Sequence, residues 1–478
     1  MKKWFNSAWK HCPALYLSLL FLVGIFSAFH LWGLLFLVFM PKKHLCLLAF
    51  FAFFFFKTLY PSFPDHSTGT ALFHIEEVKP HAGPFASGLV YIGHVKSFRT
   101  TNKTWHRLPC RFYTNKTKNR PLAHCDYLIS EANLIETSPY HYILKSKDTW
   151  TPIKGSHSLA EWRFQLKEKV RKKLKPLYKN LRVYHLMAAL LTGNMQNRIL
   201  SYQFGALGQQ HLLAISGFHF ALLTLFLAFV LKRFLSERAL SIALIVLLTG
   251  YFFYMGSTPS IHRAWVGVLI FLFGKLFYLR PTALNALGVA LISALILDPL
   301  VITEVGFQLS FGATLGILLF YNPFEQRLEA VLPKRTFKIL KEVPFYDQVG
   351  YLLCAYIRKV CALNGAVLTF TLPLLLFHFH HFPLLSLVYN LFFPLLFSLM
   401  MGGLIVGLFI PGISMINAYY ANFLLDLIAN APKRLMFQLG IKEAVILSAL
   451  GFLSFVFITR KKELKTFFTL LFSRLRKS

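Results

Sequence analysis

Residues 209–231, QQHLLAISGFHFALLTLFLAFVL, decide the class of this chain. They contain no Asp, Glu, Lys or Arg, and as one helix they would extend about 35 Å at 1.5 Å per residue. That length crosses a hydrocarbon core of about 30 Å, so the stretch predicts a membrane span. It is not uniformly apolar, because His211, Ser216, Gly217 and His219 interrupt it. Unsatisfied polar groups cost several kcal/mol in lipid, so such residues must meet a neighbouring helix or water. Working outward, similar runs recur at about 239–255, 260–279, 283–298, 303–321, 350–377, 383–410, 414–430 and 441–459, and N-terminally at about 12–40 and 45–60.

Composition supports this reading. Hydrophobic residues make up 56% and charged residues 15%, against about half and a quarter in a soluble domain. A soluble globule is excluded, as is intrinsic disorder in a chain with 51 Phe. Six Cys in 478 residues do not make a disulfide scaffold. The start, MKKWFNSAWKHCPALYLSLLFLVGIF, has a basic opening, but its apolar run continues too far for a cleaved signal and is expected to remain as an anchor. Two short passes turning near 28–33 place the basic Pro41–His44 loop inside, as positive-inside bias prefers over one tilted helix. A third span at about 45–60 then carries the chain outward.

Residues 61–160 lack a long apolar run and carry turn-forming clusters such as Pro80–Pro84 and Thr100–Lys103. Strand-like pieces at about 71–78, 88–98, 107–114, 122–135 and 140–146 predict a small barrel or sandwich of about five strands, with an OB-like barrel the favoured form. Cys110 and Cys125 both fall here, and outside the cytoplasm they are expected to form a disulfide; in a cytosolic domain they would be two buried thiols. Residues 161–184 read as a basic amphipathic connecting helix. Trp162, Leu166, Val170, Leu174, Leu177 and Leu181 form its apolar stripe, and Lys167, Lys169, Arg171, Lys172, Lys173 and Lys175 its charge. The helix is expected to lie on anionic headgroups, with phosphate contact to nucleic acid as the lesser alternative.

The formal net charge is +32. With the β domain outside, Lys232-Arg233, Arg280, the 327–341 loop and Arg460-Lys461-Lys462 all fall on the cytoplasmic side. The expected fold is a polytopic α-helical membrane protein of about ten to twelve transmembrane helices, with a small extracytoplasmic β-rich, OB-like domain near the N-terminus. Its parts are anchors at 1–60, the β domain at 61–160, the connecting helix at 161–184, a transmembrane channel domain at 185–460 and a basic cytoplasmic tail at 461–478.

Three polar clusters interrupt the spans. In HLLAISGFH at 211–219, His211 and His219 are eight residues apart, about 80° around a helix, so both can face a bundle interior. Helix packing by small residues explains this pattern equally well. In GSTPSIHRA at 256–264, a Pro-Ser helix start brings free N–H groups and the positive end of a dipole beside Arg263, a combination suited to an anion. Snorkelling of Arg263 to headgroups is the alternative. The third runs from Asp298-Pro299 to EVGFQLSFGA at 304–313, with Gln308 and Ser310 inside an apolar helix. Asp298 and Glu304 are the nearest carboxylates in sequence to pair with Arg263. His378-Phe-His380-His381 lacks a carboxylate and reads as a polar helix boundary rather than a metal site, so no metal or other cofactor is expected.

HLLAISGFH at 211–219, PSIHRA at 259–264 and VGFQLSFGA at 305–313 resemble, in order, the signature segments of the ComEC family of competence proteins. Leu190–Asn194 resembles the family's short segment before the first of these, and Asn390–Pro394 its later Asn…Pro span. The resemblance implies a channel translocating single-stranded DNA across the bacterial inner membrane during natural transformation. It also implies an extracytoplasmic DNA receptor outside and a cytosolic ATPase or single-strand-binding protein inside; self-assembly is left open. Many family members end in a metallo-β-lactamase-like domain, and this chain is expected to be a short form without it, hence not an enzyme. His211, Ser216, Gly217, His219, Ser260, Arg263, Gln308 and Ser310 are the candidate pathway residues, since a polyanion needs a wet route lined by donors and positive dipoles. The sequence has no GxxxxGK[ST] phosphate loop, so the driving energy must come from elsewhere. A small-molecule or lipid transporter is the alternative. An intramembrane hydrolase using Ser216 with a neighbouring His is weaker still, because no third orienting group is evident.

Overall fold

A computed structural model describes residues 12–31, 33, 46–60, 62–64, 67–82, 87–114, 120–138, 140–146, 150–215, 217–256, 258–334, 343–432, 436–438 and 443. The chain divides into two compact units. One comprises Met1–Gly205, Gln210–Phe307 and Leu396–Asn430, the other Ala206–Gln209, Gln308–Leu395 and Ala431–Ser478.

The first unit opens with α1 (Pro13–Phe29) and α2 (Leu47–Leu59). Helix α1 ends where the turn between two passes was expected; the second pass of that pair lies outside the described residues. Next come β1 (Ser67–Ala82), β2 (Ser87–Arg99), β3 (Thr104–Thr114), β4 (Tyr127–Ser138), β5 (His141–Ser146) and the two-residue β6 (Thr151–Pro152). Their order is β1-β2-β3-β5-β4, β1 also pairs with β4, and so the sheet closes on itself. β3 and β5 run parallel, while the other pairs of the ring are antiparallel.

Alternation in β1 shows why these residues form this sheet. Ala71, Phe73 and Ile75 point inward at every second residue. A register shift between Ile75 and Glu77 then changes the parity, so that Val78 is the next buried side chain. Trp150 completes the interior, its ring 4.6 to 5.8 Å from those of Phe73, Tyr91, Phe112 and Tyr127. Residues 122–126, expected to begin the fourth strand, instead form a turn. Cys110 and Cys125 are buried free thiols in this structure, not a disulfide.

Helix α3 (Ala160–Leu177) follows the barrel, and α4 (Leu181–Thr192) follows α3. The Asn180 side chain caps α4 by accepting from Arg182 N at 3.0 Å. After α5 (Arg198–Ala206) come the one-turn α6 (Gln210–Leu213), α7 (Gly217–Leu231), α8 (Glu237–Met255), α9 (Pro259–Leu276) and α10 (Ala283–Leu297). A 3₁₀ turn at Pro299–Thr303 leads into α11 (Val305–Leu328).

The second unit contains most of α11, α12 (Phe345–Phe379), the short β7 (His381–Pro383) and the start of α13 (Ser386–Gly407). β7 pairs with β8 (Met436–Gln438). Helix α14 (Pro411–Asn430) belongs to the first unit. Among the described residues, α8, α11, α12 and α13 are long and apolar enough to cross a membrane, and α1, α2, α4, α7 and α10 are shorter apolar helices. The expected span at 441–459 and the tail at 461–478 lie outside the described residues.

Candidate functional site

The 209–231 stretch is not one helix. It breaks after α6, Ile215 is non-helical, and α7 starts at Gly217; Ser216 lies outside the described residues. A break inside an apolar run frees backbone groups that need partners. One is supplied from the second motif, where Ser260 Oγ donates to Ile215 O at 3.0 Å. The other junction is steric, because a Cβ on Gly217 would lie 3.0 Å from Arg263 Nη2. The guanidinium therefore packs directly over a position that only glycine fills without displacement.

The Leu190–Asn194 segment joins the same place. Gly193 ends α4 at φ 74°, and a Cβ there would meet Ile215 Cδ1 at 3.1 Å and Met255 Sδ at 3.7 Å. Tyr254 Oη donates to Leu191 O at 3.0 Å. Asn194 is buried, and neither polar atom of its side chain has a partner among the described residues. His262, also buried, lies among rings, its centroid 6.3 Å from those of Phe252 and Trp265. His219 is buried on α7 beside His211 and the Leu212 backbone. Thus the first two motifs meet where the Arg263 guanidinium covers Gly217, and the Leu190–Asn194 segment packs against Ile215 and Met255 beside them.

Asp298 and Glu304 lie in the field of charges on the barrel. Asp298 Oδ1 caps the 3₁₀ turn by accepting from Leu300 N at 3.0 Å. The charges acting on Asp298 come from Glu76, His94 and Arg107 of the barrel, and those acting on Glu304 from Asp298 and from Arg111, Glu76 and Lys79 of the barrel. Burial, then the neighbouring Asp298, pushes the Glu304 carboxyl up to about 6. Burial likewise raises Asp298.

Helix α3 departs most from its sequence reading. Of the apolar stripe expected here, Leu174 is buried but Trp162 and Leu181 are exposed, while Glu161, Lys167 and Arg171 are buried. Glu161 and Lys167 each meet a partner from a distant segment. Glu161 takes a two-pronged grip from Arg120 at 2.7 and 2.9 Å and accepts from Ala123 N at 2.9 Å. Burial would raise the Glu161 carboxyl, but these donors outweigh it and hold it below the ordinary value. Lys167 Nζ donates to Glu77 Oε1 and to Met255 O, both at 3.0 Å. Burial pushes its ammonium down to about 8 against the pull of Glu77. Arg163 donates to Phe253 O and Glu76 O, both at 2.8 Å. Two cations of α3 therefore satisfy the last carbonyls of α8, where the helix dipole is negative, and tie that helix end to β1. The sequence reading counted Lys167 only as surface charge.

Within the second unit, Gln308 Oε1 and His378 Nε2 are 2.8 Å apart, so His378 is engaged by an amide. The Ser310 carbonyl accepts from Thr314 Oγ1 at 3.0 Å. Gln209 donates to Asn390 Oδ1 at 2.9 Å, bringing the Asn…Pro span against the residues just before α6. Arg358, buried in α12, donates to Leu332 O at 2.6 Å. The Arg358-Lys359 pair inside an apolar run was a sequence signal that could have found it.

Comparison with known proteins agrees with this geometry. The family described as "Competence protein" matches residues 194–462, more than half of the chain. Over 234 residues the chain is 28% identical to "ComE operon protein 3" of Bacillus subtilis (strain 168), covering 48% of this chain and 27% of that relative. No solved structure matches. The motifs that converge on Arg263 lie at the beginning of the matched region, and the chain belongs to the ComEC family of competence proteins.

Proposed function

We propose that this protein carries single-stranded DNA across the bacterial cytoplasmic membrane during natural transformation, as a multi-pass channel without nuclease or ATPase activity of its own. The observation that carries the reading is the meeting of the break before Gly217 with the Ser260–Arg263 helix start, where the guanidinium packs over Gly217 and Leu190–Asn194 abuts Ile215 on the other side of the break. A polyanion crossing a low-dielectric layer requires positive charge and free N–H groups at a helix interruption. Gln308 and Ser310 are proposed as further lining groups.

The barrel's strand order, with β3 parallel to β5 and β1 closing onto β4, supports reading it as OB-like. Placed outside the cytoplasm, it would receive the strand from a surface DNA receptor, and a cytosolic ATPase or strand-binding protein would draw it inward. The test uses fluorescent duplex DNA supplied to a strain lacking this protein and complemented with variants. Arg263→Gln and Gly217→Ala should each lower cytosolic arrival of DNA by about tenfold or more at normal protein level, the loss expected of one charge-assisted contact. Gly205→Ala, where a Cβ meets nothing within 4 Å, should be neutral. Normal arrival in the deletion strain would refute the channel role.

A further inference from the structure

Arg171 lies one turn beyond Lys167 on α3 and is only 4% exposed. Its Nη1 pairs with the partly exposed Glu168, whereas Nε and Nη2 have no partner among the described residues. Those two atoms form the edge of the guanidinium that grips a carboxylate or phosphate with two parallel hydrogen bonds. Buried donors are ordinarily satisfied, and an arginine so enclosed with its better edge empty calls for an acceptor. The surroundings call for an anionic one. The charge of Arg171 acts on His185 of α4 and on the Tyr254 hydroxyl of α8, neither of which is a carboxylate. Lys172, Lys173 and Lys175 are exposed on the following turns.

Depth in the membrane selects among phosphate ligands. Tyr254 is one residue from Met255, the last residue of the candidate span α8, whose carbonyl Lys167 holds. Arg171 therefore sits beside the end of a helix long and apolar enough to cross a membrane, the level at which lipid headgroups lie. Basic pockets at this level between membrane helices suit phospholipid headgroups. We propose that the Nε/Nη2 edge of Arg171, walled by α3, α4 and α8, binds the phosphate of an anionic phospholipid. The proposal rests on the chain being a membrane protein and not on its transporting DNA.

The test measures thermal unfolding of the full chain in detergent with added short-chain phosphatidylglycerol. Phosphate-free diacylglycerol, inorganic phosphate and a thymidine oligonucleotide are the comparison probes. Phosphatidylglycerol should stabilise the protein saturably, and Arg171→Gln should raise the midpoint concentration about tenfold. Lys172→Gln/Lys173→Gln should leave that midpoint within about twofold, which separates a built site from diffuse attraction. Should Arg171→Gln fail to fold, Glu168→Gln, which frees Nη1, should tighten lipid binding. Equal midpoints for Arg171→Gln and the parent, weaker binding in Glu168→Gln, or equal stabilisation by diacylglycerol would overturn the proposal. Stabilisation by inorganic phosphate alone would assign the site to free phosphate, and by the oligonucleotide alone to DNA; either would overturn the lipid assignment.

Discussion

At the scale of single residues, what distinguishes this protein is how its buried charges are compensated. Asp126 would be raised by burial, but Lys96 and His74, each 2.5 Å away, hold it below its ordinary value. Glu304 has no comparable donor in its balance, and burial with Asp298 prevails. The sign of its effect on stability follows from linkage. An acid whose folded pKa is raised keeps its proton longer when folded, so its penalty is complete above about pH 6 and is relieved as pH falls toward 4.5. A carboxyl moved from 4.5 to about 6 carries at most about 2 kcal/mol of destabilisation at pH 7. Glu304→Gln should therefore be more stable than the parent at pH 7, and the gap should narrow below about pH 6 and close by about pH 4. His141, whose imidazole burial and Arg111 push down, works in the opposite direction but is common to both proteins. Thermal unfolding of both in the same detergent across pH reads the difference; a gap independent of pH would contradict the burial of Glu304.

At the scale of elements, α3 is the joint of the first unit. Lys167, 1% exposed, holds Glu77 of β1 and the Met255 carbonyl of α8 at once. Breaking one side of a buried ion pair costs about 3–5 kcal/mol, and Glu77 keeps Lys79 at 2.7 Å. Lys167→Ala should thus fall at the lower end, about 3 kcal/mol. Neutralising the stranded partner with Glu77→Gln should recover part of it, which a double-mutant cycle on thermal unfolding will show. The same helix marks where sequence reasoning stopped. Its heptad-like apolar stripe was visible, but the acceptors that draw Lys167 and Arg163 inward lie some 90 residues away in sequence. No local pattern contains them. In β1, by contrast, Ala71, Phe73 and Ile75 announce the strand by alternation alone, and only the parity change before Val78 required the partner strand. Of the candidate site, Arg263, Gly217 and Ser260 were legible because Gly, Ser and Arg are conspicuous in apolar runs. Arg171 was hidden among its neighbouring lysines, and the barrel charges that act on Asp298 and Glu304 come from segments about 190 or more residues away, so they were not legible locally.

At the scale of the whole molecule, charge must decide which ends of the helices face the cytoplasm. Basic residues near span ends resist translocation, whereas acidic ones contribute little. Lys232 and Arg233 follow α7, and Arg280 follows α9. The opposite end of α8, at Met255, meets α3, whose Lys167 and Arg163 also hold Glu77 and Glu76 of the barrel. If these basic turns lie inside, the barrel lies outside. Thr101, exposed in the turn between β2 and β3, and Arg233, exposed between α7 and α8, report the two sides. With the exposed Cys354 and Cys361 first changed to Ser, Thr101→Cys should react with a membrane-impermeant maleimide in intact spheroplasts. Arg233→Cys should react only after permeabilisation. The reversed pattern would put the barrel in the cytoplasm and would remove its proposed role in receiving incoming DNA. It would leave the contact between Gly217 and Arg263 unchanged, because that contact depends on packing within the first unit and not on which side of the membrane it faces.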